Sequence, residues 1–166
     1  MSDELPDFRL LFVCTGNTCR SPLAEALARR EVERREWASV SIASAGTGAS
    51  LGGWASEGSL AAAESAGLDL SGHRSQPLTR ELVESADLVL TMGVHHLATV
   101  IELGGAEKAA LLSAFAEGEE EGAYWSVPDP FGAGSEVYME TLRVLDELVT
   151  ATIARIETVL SSPDPS

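Results

Sequence analysis

With 166 residues, the chain has the length of one domain large enough to bury about two-thirds of its unfolded surface. Eleven Lys plus Arg against 26 Asp plus Glu leave a net charge of −15, which repels nucleic acid and anionic lipid and excludes both as expected partners. Hydrophobic residues make up 45%, too many for a disordered chain, yet no run approaches the ~18 apolar residues of a membrane span.

The acidic opening Met1 to Asp7 lacks the apolar core of a signal peptide. The two cysteines, Cys14 and Cys19, lie too close together to staple a fold, and a reducing cytoplasm suits them. A single domain over 1–166 is expected, monomeric or weakly dimeric, with residues 1–7 and 161–166 as flexible tails.

In chain order, Arg9 to Cys14 is an apolar run that reads as a strand buried on both faces. After a polar loop, Ser21-Pro22 reads as N-cap and first position of a helix whose apolar side carries Leu23, Ala24, Ala26 and Leu27. Glu25 comes one residue too late for a strict capping box. A second strand is expected at Val40 to Ala45, then a Gly-rich loop through Trp54 and a helix from Ser56 to Ala66 with Gly67 as its cap. Leu70 to Pro77 reads as loop, Thr79 to Ser85 as a short helix, Asp87 to Met92 as a third strand, and Val94 to Leu103 as helix. Ala109 to Leu112 is a weaker strand pattern, and Glu117 to Gly122 an acidic loop. The prolines of Val127 to Gly132 forbid helix and fix a rigid loop. From Ser135 to about Leu160 apolar residues recur at helical spacing. Alternating strands and helices predict an α/β fold with a parallel sheet covered on both faces, with ligands bound beyond the C-terminal strand ends.

The first strand ends at Cys14, and the residues from there to the helix, Thr15-Gly16-Asn17-Thr18-Cys19-Arg20-Ser21, carry the chemistry. Backbone N–H groups of a tight loop and a helix start form an anion cradle. Arg20 adds a planar fork of donors for two oxygens of a tetrahedral oxyanion. The same positive surroundings favour a thiolate at Cys14, a nucleophile aimed at phosphorus. Asn17 suits a left-handed position that ties the loop together, and Ser21 suits a donor to the sulfur. Asp129, held between Pro128 and Pro130, is of the right type to give a leaving group its proton and later take one from water. His95 and His96 have no partner at ligand spacing and read as surface or helix-packing residues, and no metal site is expected.

The run Val13-Cys14-Thr15-Gly16-Asn17-Thr18-Cys19-Arg20-Ser21-Pro22-Leu23-Ala24-Glu25 resembles the signature of the low-molecular-weight protein tyrosine phosphatase family. Ser44-Ala45-Gly46-Thr47 and Asp129-Pro130 match the family pattern in order, so the resemblance spans nearly the whole chain. It implies a flavodoxin-like, three-layer doubly wound sheet of four parallel strands and a two-step phosphatase that needs no metal or other cofactor. In that scheme Cys14 attacks phosphorus, Arg20 holds the phosphoryl oxygens, and Asp129 is acid and then base. Ser44 and His73 resemble the family's network behind the loop. The implied partners are phosphorylated proteins.

Thr18, where tyrosine phosphatases of the family carry a bulky aliphatic residue, and Phe131, where they often carry Tyr, resemble the bacterial protein arginine phosphatase branch. Phe131 and Trp54 are candidate aromatic walls of the cleft. Phosphoarginine is therefore the expected substrate and phosphotyrosine the alternative. An arsenate reductase completed by an external thiol and a catalytically silent phosphate-binding module are further alternatives. Cys14 and Cys19, curled around one ligand, are a candidate reversible disulfide that protects the nucleophile.

Overall fold

In the computed structural model, which describes residues 7–118 and 125–161, the apolar run after Asp7 forms strand β1, Phe8–Cys14. It pairs on one side with β2, Val40–Gly46, and on the other with β3, Leu88–Thr91, which in turn pairs with β4, Ala109–Leu111. All pairings are parallel, in the order β2-β1-β3-β4. This is the doubly wound, flavodoxin-like sheet that the resemblance implied.

A central parallel strand is covered above and below, which is why β1 shows no polar alternation. Leu10, Phe12 and Cys14 face one hydrophobic cluster; Leu11 and Val13 face the other. The first cluster is closed by α1, Arg20–Arg34, with α2, Glu57–Ser65, α5, Leu112–Glu117, and α6, Ser135–Ser161. The second, smaller cluster lies under α3, Arg80–Ser85, and α4, Val94–Val100, through Val83 and Val100. The strand order reverses between β1 and β3, so a crevice opens at the C-terminal end of β1, beside Cys14.

Several boundaries differ from the expected ones. Helix α1 begins at Arg20, with Cys19 as an N-cap that makes no side-chain cap bond, so Ser21 is not the cap and Pro22 is the third helical residue. The proline is tolerated because first-turn N–H groups have no intrahelical acceptor. The Ser21 hydroxyl is instead committed to the cysteine loop. Helix α4 stops at Val100 and continues as a wide turn, Ile101–Gly105, that closes through Gly104 at φ 95°, a left-handed conformation suited to glycine. Leu112 does not extend β4 but opens α5, a helix of six residues, less than two turns and too short for a periodic pattern to reveal. Glu117 ends that helix and Gly118 caps it; residues 119–122 of the expected acidic loop and the tail after Ser161 lie outside the described residues.

Two glycines permit close approaches. A Cβ on Gly46, at the end of β2, would strike the Thr15 carbonyl and the Asn17 amide, so this glycine lets the cysteine loop lie against the sheet. A Cβ on Gly58 would strike the Tyr138 ring, which seats α6 on α2.

Candidate active site

Cys14 is buried at the tip of β1, with its sulfur 3.3 Å from the donating Asn17 amide and 2.9 Å from Ser21 Oγ. Ser21 Oγ already accepts from Asn17 Nδ2 at 2.8 Å, which directs the serine proton toward the sulfur. Two donors are thus aimed at the sulfur.

Asn17 is the organiser of the loop. It is fully buried and sits at φ 56°, a left-handed backbone that few residue types adopt without cost. Its Nδ2 also donates to Ser44 Oγ at 2.9 Å, its Oδ1 accepts the Gln76 amide at 2.9 Å, and its carbonyl accepts His73 Nε2 at 2.7 Å. Ser44 Oγ in turn donates to Glu25 Oε1 at 2.7 Å. Glu25, off register for a capping box, thus anchors β2 to α1.

Arg20 is 4% exposed. One terminal nitrogen donates to the Val127 carbonyl at 3.0 Å, and the other lies 3.6 Å from Asp129 Oδ2. Its Nε is buried with no partner among the described residues, so a strong donor is held ready for an acceptor oxygen. Asp129 is half-exposed, and its Oδ1 accepts the Phe131 amide at 3.1 Å, the turn expected of Asp-Pro.

Cys14, Thr15, Gly16, Thr18, Cys19, Arg20, Asp129 and Phe131 line one cavity of about 220 Å³. A larger groove of about 690 Å³ runs along α1 and β2 near Trp37, and it contains neither the thiol nor Asp129. The chemistry belongs to the smaller cavity. Trp54 is not among its lining residues; its exposed ring carries the Arg74 guanidinium, 3.4 Å from the ring centre.

Cys19, also in the cavity wall, lies with its sulfur 3.3 Å from Ser56 Oγ and 3.6 Å from the Tyr138 hydroxyl. Burial raises the Tyr138 pKa above its ordinary value, with the Cys19 contact adding to the effect, so the phenol stays protonated. Both cysteines are free thiols.

His95 is exposed, in keeping with a surface residue, but His96 is not merely packed. It is fully buried, and its Nε2 lies 2.8 Å from Thr15 Oγ1. Gln76, His96, Ser56 and Tyr138 all support the loop, and none stands in the motif that marks it; Glu25, the last residue of that motif, supports it through Ser44.

A thiol, a guanidinium donor and a carboxyl meet in one cavity at the end of a parallel sheet, an arrangement that belongs with cysteine-based phosphatases. Residues 9–161 match the model described as low molecular weight phosphotyrosine protein phosphatase, and the chain belongs to that family and is a phosphatase. It is 40% identical over 142 residues to a protein-arginine-phosphatase of Bacillus subtilis (strain 168), covering 84% of this chain and 91% of the relative. It is 36% identical over 147 residues to the probable low molecular weight protein-tyrosine-phosphatase EpsP of Ralstonia nicotianae, covering 89% of this chain and 94% of the relative. Among solved structures, a YwlE arginine phosphatase mutant with a phosphorylated active-site serine is similar at TM-score 0.82 and 37% identity, covering 90% of this chain and 96% of that one.

Proposed function

We propose that this phosphatase hydrolyses phosphoarginine on proteins in the cytoplasm, through a cysteinyl phosphate and without a cofactor. Cys14 attacks phosphorus as the bond to the leaving nitrogen breaks, and Asp129 gives that nitrogen a proton. Arg20 and the loop amides of Thr15 to Cys19 hold the equatorial oxygens and stabilise their charge. A water then attacks the cysteinyl phosphate, Asp129 takes its proton, and inorganic phosphate and the Cys14 thiolate are released. Ser44 and His73 act behind the loop, through Asn17.

The observation that carries the substrate reading is the presence of Thr18 in the wall of the cavity that Cys14, Arg20 and Phe131 also line. A hydroxyl there can bond within the site, where an aliphatic side chain can only pack. The likeness to a protein-arginine-phosphatase supports the same reading. Turnover of a phosphoarginine peptide against a phosphotyrosine peptide, in wild type and Thr18→Ile, tests it. A strong phosphoarginine preference that collapses in Thr18→Ile is expected. A phosphotyrosine preference in both proteins makes the enzyme a tyrosine phosphatase and reduces Thr18 to packing.

Cys19 is assigned as the redox partner of Cys14. Peroxide converts the Cys14 thiolate to a sulfenic acid, and the Cys19 thiol displaces water to give a disulfide that a cellular dithiol reduces. Loss of both free thiols on peroxide treatment, restored together with activity by dithiol, is the expected result.

A further inference from the structure

Thr15, the first residue beyond the nucleophile, is held from two directions. Its carbonyl accepts the Gly48 amide at 2.9 Å, from the loop after β2, and its hydroxyl meets His96 Nε2 at 2.8 Å, from α4. The side chain is nonetheless exposed toward the cavity that holds Cys14, Arg20 and Asp129. The imidazole joins the second layer of helices to the cysteine loop.

The protonation of that imidazole decides what the threonine can do. Burial, followed by repulsion from His95 and Arg20 and opposed by Asp129, lowers the His96 pKa to about 4, so the ring is neutral in the working range and carries one N–H. His96 Nδ1 is buried with no partner among the described residues. A proton on Nδ1 would strand a buried donor, the costlier of the two orphans, whereas a proton on Nε2 is used by Thr15 Oγ1. With the Nε2–H tautomer, Thr15 Oγ1 accepts, and its own proton is free for an acceptor inside the cavity.

We infer that His96 is a positioning residue for phosphoryl transfer, which through its Nε2–H orients the Thr15 hydroxyl to donate to an oxygen of the transferring phosphoryl group. The inference rests on the reading of Cys14 to Arg20 as the phosphoryl site. It does not depend on whether the leaving group is a guanidine or a phenol, because the acceptor is on phosphorus. Donation to an oxygen that gains charge in the trigonal-bipyramidal transition state contributes more to turnover than to ground-state binding.

The test measures kcat and KM with p-nitrophenyl phosphate, and inhibition by vanadate and by inorganic phosphate, in wild type, His96→Leu, His96→Gln, Thr15→Val, Thr15→Ser and His96→Leu/Thr15→Val. His96→Leu and Thr15→Val are each expected to lower kcat/KM about tenfold, mostly in kcat, and to weaken vanadate about tenfold but phosphate less than threefold. The double variant is expected to be no worse than the poorer single one, because both remove the same donor. Thr15→Ser, and His96→Gln with its terminal amide N–H in place of Nε2–H, are expected within threefold of wild type. Wild-type turnover in Thr15→Val, multiplicative losses in the double variant, or no recovery in His96→Gln overturns the inference. If His96→Leu does not fold, as melting will report, the exposed pair Thr15→Val and Thr15→Ser decides by kcat and vanadate alone. A wild-type protein that neither turns over the aryl phosphate nor binds vanadate overturns the phosphoryl-site reading itself, and the inference with it.

Discussion

Asn17, buried behind the cysteine loop, and Asp129, in the cavity wall, are held by the chain in opposite ways. Every polar group of the Asn17 side chain is bonded, to Ser21, Ser44 and Gln76, and its backbone is tied to Cys14 and His73. Asp129 is half-exposed, and among the described residues its carboxylate is matched, beyond the Phe131 amide, only by Arg20 at 3.6 Å. The cysteine loop is tied to several elements, whereas the acid is carried by prolines and by Val127, whose N–H donates to the Met92 carbonyl and whose carbonyl accepts from Arg20. In the proposed mechanism the phosphoryl group, the invariant part of the reaction, meets the locked side. The leaving group, which differs among substrates, meets the open side, where Phe131 is 73% exposed and can be exchanged without disturbing the nucleophile.

Removing the nucleophile should give the largest effect: Cys14→Ser loses turnover by about 10⁴-fold or more while still binding vanadate, as steady-state kinetics and anion titration will report. Full activity in that variant breaks the covalent scheme. Asp129→Ala should slow turnover of substrates with poor leaving groups by about 10²- to 10³-fold, with a melting temperature close to wild type. Asn17→Ala should reverse that pattern, with about 2–3 kcal/mol lost in denaturant unfolding because several buried groups are left unpaired. A fold-neutral Asn17→Ala or a destabilising Asp129→Ala would erase the contrast between the two loops. Phe131→Ala should be smallest, within about 0.5 kcal/mol in stability, as expected for an exposed side chain, and visible only in KM.

His96 gives the locked side a pH signature. Its pKa is lowered from 6.5 to about 4 by burial and by its neighbours His95 and Arg20, against the pull of Asp129. The unfolded chain therefore binds the proton more readily, and stability falls as pH drops from 6.5 toward 4, by up to about 3 kcal/mol. Urea midpoints across that range should show the slope, and His96→Gln should flatten it.

The residues that touch the cavity were readable from the chain because most of them are contiguous. Cys14, Thr15, Gly16, Thr18, Cys19 and Arg20 stand in one run, and Asp129 is marked by its prolines. The four parallel strands were also readable, since buried apolar runs separated by amphipathic helices leave few other solutions. What the pattern does not carry is the second layer. His96 lies 81 positions from Thr15, and Gln76 lies 59 from Asn17; such bonds exist only once β3 and the loop after β2 are in place. Trp54 was misplaced for a related reason: an aromatic residue on a Gly-rich loop has no periodic pattern to aim it, and Arg74 captured its face. Ser21 read as a helix cap because its residue type suits one, but the thiol competes for the same hydroxyl.

The crowding at Gly46 has a bearing on when the protein becomes an enzyme. The cysteine loop rests on the last residue of β2, and Asn17 is fastened by Ser44, His73 and Gln76, all made after the loop in chain order. A growing chain that has produced only β1 and α1 holds the complete motif but none of these fasteners. Its thiol is then an ordinary cysteine side chain on an unbraced turn. Phosphatase activity therefore arrives with the assembled sheet and the Asp129 segment rather than with the motif, and regained turnover after dilution from denaturant reports that long-range closure.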